Sequence, residues 1–526
     1  FVLLAGDSAV VPIRYGNGYD SDPRHFQHIP SDLYFADYNG NWATDGDDRY
    51  GEPADKIDYY PEVFIGRLLC STPEDVANYT EKLIRYELNP GNGDYSYLDN
   101  AIYTQEEQMD YKYHHADTLV RMCIDMFPDY KIISEDDEND RIPTGAQVVE
   151  EMNNNRYAFS SFNGHGNPEG VAVNNAESSM WKGAAYGISA LDDQRVYFLE
   201  ETNNGLDNLT NYDYPMVSYS ISCILMPYDK FVIDDFDGGI YNLKWNFGRV
   251  YTCGGLYGGP AFIGNTRAGW IIPSFNLEKD FIEVLKSGTY CIGKTEAMSK
   301  VYFDGIIHSH WVRIVHNLLG CPEFEMWTGI PTKYTQLGTM QTSNSVIISG
   351  NDLPNSTIAY RESGFSLVPE KKITAKGTYE NISKVDLNHP VTVYKHNCIP
   401  YILPLFLQNA TVDYADSFQV STVKIGNSVS SKRTKGDYVI EDGGSLIIEA
   451  SGNVEIDAGT IIDTGGELTI KSDGKITING GTVKKGGKLK ICAKGIEINK
   501  DFSIENGATF ETLCYDRMTN HFMFND

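Results

Sequence analysis

The chemistry this sequence offers is concentrated at one histidine and one cysteine. Phe159-Ser-Ser-Phe-Asn-Gly164-His165-Gly166-Asn ends an apolar run on an imidazole set between two glycines. Glycines there let backbone and substrate approach the ring and leave N–H groups able to donate. Pro215-Met-Val-Ser-Tyr-Ser-Ile-Ser-Cys223 ends a second apolar run on a thiol. Taken singly, the first reads equally as a loop histidine and the second as a small buried cysteine. Placed together at the C-terminal ends of neighbouring parallel strands, they form a thiolate–imidazolium pair, the nucleophile and base of acyl transfer.

Strands must therefore carry both residues to one edge of a sheet. Residues 1 to about 330 alternate apolar strand candidates (1–5, 62–66, 100–103, 157–162, 216–221 and 260–264) with amphipathic helix candidates (72–86, 112–126, 145–155, 275–287 and 294–319). Thr72-Pro-Glu-Asp supplies an N-cap, a proline at the first helical position and an acidic first turn. The alternation predicts an α/β domain with a mostly parallel sheet over 1–332. From 333 to 408 the helical signals stop, and alternating segments broken by Gly, Pro and Asn predict a small β-sandwich. Beyond 409 the chain repeats itself. Gly443-Gly444-Ser-Leu-Ile-Ile, Gly465-Gly466-Glu-Leu-Thr-Ile and Gly486-Gly487-Lys-Leu-Lys-Ile recur, interleaved with Gly452-Asn-Val-Glu-Ile, Gly474-Lys-Ile-Thr-Ile and Gly495-Ile-Glu-Ile. A period of about 21–22 residues with two short strands predicts a β-solenoid over 409–526, with a structural or display role.

Several of these segments resemble the gingipain-like cysteine peptidases of the caspase-like clan. They are Glu62-Val-Phe-Ile-Gly-Arg-Leu-Leu-Cys-Ser-Thr-Pro-Glu-Asp, Phe162-Asn-Gly-His-Gly, the strand ending at Cys223, and Gly259-Pro-Ala-Phe-Ile-Gly-Asn-Thr-Arg-Ala-Gly-Trp270. Asn317-Leu-Leu-Gly-Cys-Pro-Glu323 resembles the closing segment, with Cys321 where that family has Asp. The resemblance implies a caspase-like fold and a His165–Cys223 dyad, with the N–H groups of Gly166 and Cys223 as oxyanion donors. It also implies an acidic residue behind the histidine, where Glu106 matches best and Glu107 nearly as well; either also reads as a surface carboxylate. Trp270 falls on an aromatic wall of the P1 pocket, or packs the sheet edge as core. The acidic reader of a basic P1 side chain has no clean match; Asp110 and Asp117 are near, with Lys112 between them. A P1 preference for Arg or Lys is the expectation. The polar stretch 203–213 reads as an insert able to reshape the groove. In the tail, the segment Val391 to Tyr401 resembles the last strand of the Ig-like domain that follows gingipain catalytic domains. Ile496 to Phe510 resembles repeats of secreted Bacteroidetes proteins.

Asp45-Gly-Asp47-Asp48-Arg-Tyr-Gly-Glu52, preceded by Asp37-Tyr-Asn39-Gly, gathers oxygen ligands and glycine turns in a short loop. Such a set suits Ca²⁺, as the family's structural calcium implies, and equally suits a solvated acidic loop. The run Glu135-Asp-Asp-Glu-Asn-Asp140 reads as solvated.

A formal charge of −29 excludes a phosphate-backbone partner. No apolar run reaches the ~20 residues of a membrane span. The nine cysteines contain no CxxC pair, so neither a zinc site nor a dense disulfide framework is indicated. The sequence opens inside an apolar strand, so the expectation is that an upstream piece has been removed, a pro-segment if by processing. Three functions fit: a secreted endopeptidase made as a zymogen, a sortase-like transpeptidase of type IX secretion, and an idle surface scaffold.

Overall fold

The computed structural model describes residues 1–18, 28–106, 114–134, 142–174, 186–194, 202–229, 232–234, 240–242, 245–303, 308–335, 337–341, 345–362, 370–386, 389–403, 423–425, 439–440, 445–450, 454–456, 460–515 and 522–524. Glu107, Asp110, Lys112, the run from Glu135 to Asp140 and the glycines Gly443, Gly444 and Gly452 lie outside them. The chain divides into two compact units, Phe1–Thr332 and Lys333–Asp526.

The first unit is built on one eight-stranded sheet. In chain order its strands are β1 Val2–Ala5, β2 Ile65–Leu68, β3 Asn100–Gln105, β4 Asp129–Ser134, β5 Phe159–Asn163, β6 Val217–Ser220, β7 Ala261–Asn265 and β8 His316–Gly320. Across the sheet they run β1-β2-β8-β7-β6-β5-β3-β4. Neighbours are parallel except β7 and β8, which pair antiparallel. The sheet is therefore mixed, with a caspase-like order in which β3, β5, β6 and β7 end on a common edge. Helices α1 Pro73–Leu88, α2 His115–Cys123, α3 Gly145–Asn155, α4 Phe247–Cys253, α5 Ile271–Lys286, α6 Ile292–Tyr302 and α7 Ser309–Val315 complete the unit. One core gathers Ile102, Val148, Phe162, Leu225, Phe247 and Phe262, all fully buried.

The sequence signals for α1 are realised in detail. The Thr72 side chain accepts from Asp75 N while Asp75 reaches back to the N-cap, closing a capping box. Elsewhere the boundaries move. The helix expected over 294–319 is three elements: α6, α7 and β8. Asn317-Leu-Leu-Gly is buried at every position in β8, and a short, wholly buried apolar strand carries no period-2 signal to set it apart from a helix. The expected strand 62–66 begins later, at Ile65. β4 was not anticipated; it lies at the sheet edge with its first three residues exposed. The stretch 203–213 is no flap over the groove. Leu206 and Leu209 are buried, and Asn211 bonds to the Gly258 backbone, at the edge where β6 and β7 begin.

In the second unit, Thr357–Tyr360, Lys371–Thr374, Thr392–Lys395 and Cys398–Ile402 pair antiparallel, as do Gly338–Gln341, Ser345–Ser349 and Tyr379–Ser383. Both sheets supply one core through Ile348, Ile358, Ile382 and Val393. Farther on, Ser445–Ala450, Glu467–Ile478, Lys488–Ile498 and Thr509–Tyr515 stack in parallel register, with Leu468 facing Leu489 and Leu489 facing Phe510.

Candidate active site

The two chemically competent residues stand just past the ends of paired strands, His165 two residues beyond β5 and Cys223 three beyond β6. β5 and β6 align Phe162 with Ser220; three residues on from each come His165 and Cys223. The two segments touch. A Cβ added to Gly166 would fall 2.7 Å from the Cys223 carbonyl oxygen and 2.8 Å from Ser222 Cβ, so only glycine fits there. On Gly164 it would fall 2.1 Å from the Ala172 oxygen. Behind the imidazole, the strand Gly170–Asn174 fixes the loop through Ala172 N to His165 O, 2.8 Å.

Glu106, directly after β3, is 1% exposed. Its Oε2 accepts from His165 N at 2.6 Å, and its Oε1 lies 3.8 Å from His165 Nε2. The Glu106 backbone N–H in turn donates to Asn163 O. The carboxylate thus holds the backbone of the histidine and lies within ion-pair range of its ring. The imidazole itself remains 43% exposed, open to a substrate.

Around the thiol, Gly269 N donates to Cys223 Sγ at 3.2 Å. Burial pushes the Cys223 thiol up; the Gly269 amide opposes this and the Glu106 charge adds to it. Asn265 Nδ2, at the end of β7, donates to the carbonyls of Ile221 and Ser222 and so fixes the approach to the nucleophile. Ile224, the next residue, holds φ 53 and donates its N–H to Arg267 O. A β-branched residue in the left-handed region is strained, and such strain gathers at working sites. None of Gly269, Asn265 or Ile224 has a chemical signature of its own; only the run from Gly259 to Trp270 marked the neighbourhood.

Trp270 follows Gly269 and is 43% exposed, so it is not core. One face of its ring stacks on His308, centroids 4.0 Å apart and 7° from parallel. Asp110 is outside the described residues. In the acidic loop, Asp45, Asp47 and Glu52 each bring an oxygen within 4.8 Å of the others; Asp48 is not in the group. Arg49 is paired with two of them, 3.2 Å from Asp47 and 3.3 Å from Glu52. Asp37 is committed to Gly40 N and Trp42 Nε1. No disulfide joins the described cysteines, and no described helix is long and apolar enough to cross a membrane.

A thiol and an imidazole carried on adjacent strand ends of a caspase-like sheet are what a cysteine-type peptidase requires, and the family match gives that class. Residues 1–327 match Peptidase family C25, and the chain belongs to that family. Among solved structures, it is similar to the Arg-specific cysteine proteinase gingipain R at 15% identity and TM-score 0.56, over 76% of this chain and 82% of that one. It is also similar to the complex of the pro- and mature domains of Porphyromonas gingivalis RgpB, at 16% identity and TM-score 0.55, over 76% and 84%. No curated protein gives a significant match.

Proposed function

We propose that the chain is a secreted endopeptidase working through an acyl-enzyme on Cys223. His165 takes the thiol proton; the sulfur attacks the peptide carbonyl, and His165 returns the proton to the leaving amine. Water, deprotonated by the same imidazole, then releases the acyl group. Glu106 orients and steadies the imidazolium, and the N–H groups of Gly166 and Cys223 are the donors for the oxyanion, each worth about 3 kcal/mol of barrier. The observation that supports the reading is the packing of Gly166 on the Cys223 backbone, which brings the two strand-end segments that carry His165 and Cys223 into contact.

The open face of Trp270 suits a guanidinium or ammonium by cation–π contact, in keeping with a basic P1 residue and an Arg-specific relative. That relative's family also includes a complex with a pro-domain, which favours synthesis as a zymogen. The all-oxygen set of Asp45, Asp47 and Glu52 would hold structural Ca²⁺ if Arg49 swings aside. Residues 333–408 read as an Ig-like sandwich and 409–526 as a β-solenoid, supported by the shared core and the parallel ladder above.

The test is hydrolysis of a fluorogenic peptide library varied at P1, with reductant and Ca²⁺, beside Cys223→Ala. Cleavage lost in the variant establishes the peptidase and its P1 residue. Silence from the parent, with no labelling of Cys223 by a thiol-reactive peptide, removes the endopeptidase and leaves the scaffold. A rise in Tm on adding Ca²⁺, absent in Asp45→Asn, would place the ion; an unchanged Tm returns the loop to a solvated acidic turn.

A further inference from the structure

We propose that Glu278, a buried carboxyl on α5, is a positioning residue for the catalytic histidine, acting through Ser161 and Asn163. The proposal rests on the peptidase reading above.

Glu278 is fully buried beneath the sheet. Ser161 Oγ donates to its Oε1 at 2.5 Å, and Asn163 Nδ2 donates to Ser161 Oγ at 2.9 Å. Ser161 and Asn163 are two apart on β5, so both project to one face of the sheet. The Asn163 carbonyl receives Glu106 N at 2.9 Å, and Glu106 Oε2 receives His165 N at 2.6 Å. A series of hydrogen bonds, joined through the covalent frames of Asn163 and Glu106, therefore runs from α5 to the backbone of His165. The N-cap of the same helix is Trp270, the residue after the Gly269 whose amide donates to Cys223 Sγ. α5 is thus tied at one end to the nucleophile and at its middle to the base.

Packing alone does not account for a carboxyl here. Glu278 Oε2 has no hydrogen-bond partner among the described residues, and a buried polar atom left that way is unfavourable where leucine would pack without it. The titratable groups that face it are Tyr103 on β3, Cys123 on α2 and Tyr219 on β6, each kept neutral by burial. No cation faces it among the described residues, and burial raises its pKa to about 8, so the carboxyl holds its proton at neutral pH. A neutral acid keeps a fixed, uncharged contact with Ser161; its ionisation would put an unpaired charge beneath β5.

Three variants test this by peptide hydrolysis and by the rate of Cys223 alkylation with iodoacetamide. Glu278→Leu is expected to lower kcat about tenfold with KM within about twofold, and to slow alkylation. Ser161→Ala cuts the same chain with little change of volume and should do likewise, so the test survives if the leucine variant fails to fold. Glu278→Gln keeps an acceptor for Ser161 and should recover most of the lost kcat. The parent's kcat should fall as pH rises through about 8, a limb absent from the glutamine variant. Folded Glu278→Leu or Ser161→Ala proteins with the parent's kcat and alkylation rate would overturn the proposal. If the parent cleaves no peptide, the peptidase reading fails by itself. Alkylation, compared with His165→Ala, then decides the positioning role: equal rates in parent and Ser161→Ala overturn it.

Discussion

Cys223 is a thiol at rest. Its surroundings favour the neutral form, because desolvation outweighs the single amide donated by Gly269. The alkylation rate of the free protein should therefore keep climbing past pH 9, above the ordinary cysteine value of 9.0; a plateau near pH 6 would mean a preformed ion pair. Glu106 serves the other member of the pair. Glu106→Gln keeps the shape and removes the charge behind the imidazole, and should lower kcat about a hundredfold with little change in KM, read by steady-state kinetics. At this scale the sequence disclosed what is chemically distinctive. Histidine between glycines and cysteine at a strand end are visible because few residue types do that work. Gly269, Asn265 and Ile224 act through backbone position, which no residue type announces. Glu278 was hidden differently: inside a helical pattern, an acidic residue reads as solvent-facing until the packing shows otherwise.

Elements place these groups to within ångströms, and small residues decide where they can meet. Gly164→Ala drives a methyl into the Ala172 oxygen; loss of hydrolysis with a lowered Tm is expected, measured by assay and thermal scan. Thr72→Ala, remote from the chemistry, should remove about 1 kcal/mol through the capping box of α1, seen as a shifted denaturant midpoint with kcat unchanged. α1 was legible almost to the residue because its cap, its proline and its acidic turn all agree. β8 was not, since Asn317-Leu-Leu-Gly is apolar on both faces and continues the pattern of the helix before it. Missing β8 also concealed the one antiparallel pairing, and with it the mixed character of the sheet.

At the scale of the whole molecule, one buried imidazole makes its own contribution to stability fall with acid. His316 is buried against Tyr219 and Ser220 O, and burial, reinforced by the Lys300 charge, lowers its pKa to about 3. The unfolded chain takes up this proton near 6.5 and the folded one only near 3, so stability is lost as pH falls below 6.5. The loss amounts to about 2 kcal/mol by pH 5. The difference in stability between the parent and His316→Phe, followed by Tm against pH, should show this slope. The two units predict in addition that a chain ending at Thr332 folds and hydrolyses peptide. One feature of the sheet reaches further. Because β8 runs against β7, everything between Asn265 and His316 leaves the catalytic edge and returns to it. Trp270 near the start and His308 near the finish meet there as a clasp. The excursion is one continuous piece of chain, and it carries Gly269 and Glu278 as well as that stacked pair. An exchange of that piece would leave His165 and Cys223 on their own strands and would have to keep Gly269 and Glu278 to preserve the supports of both.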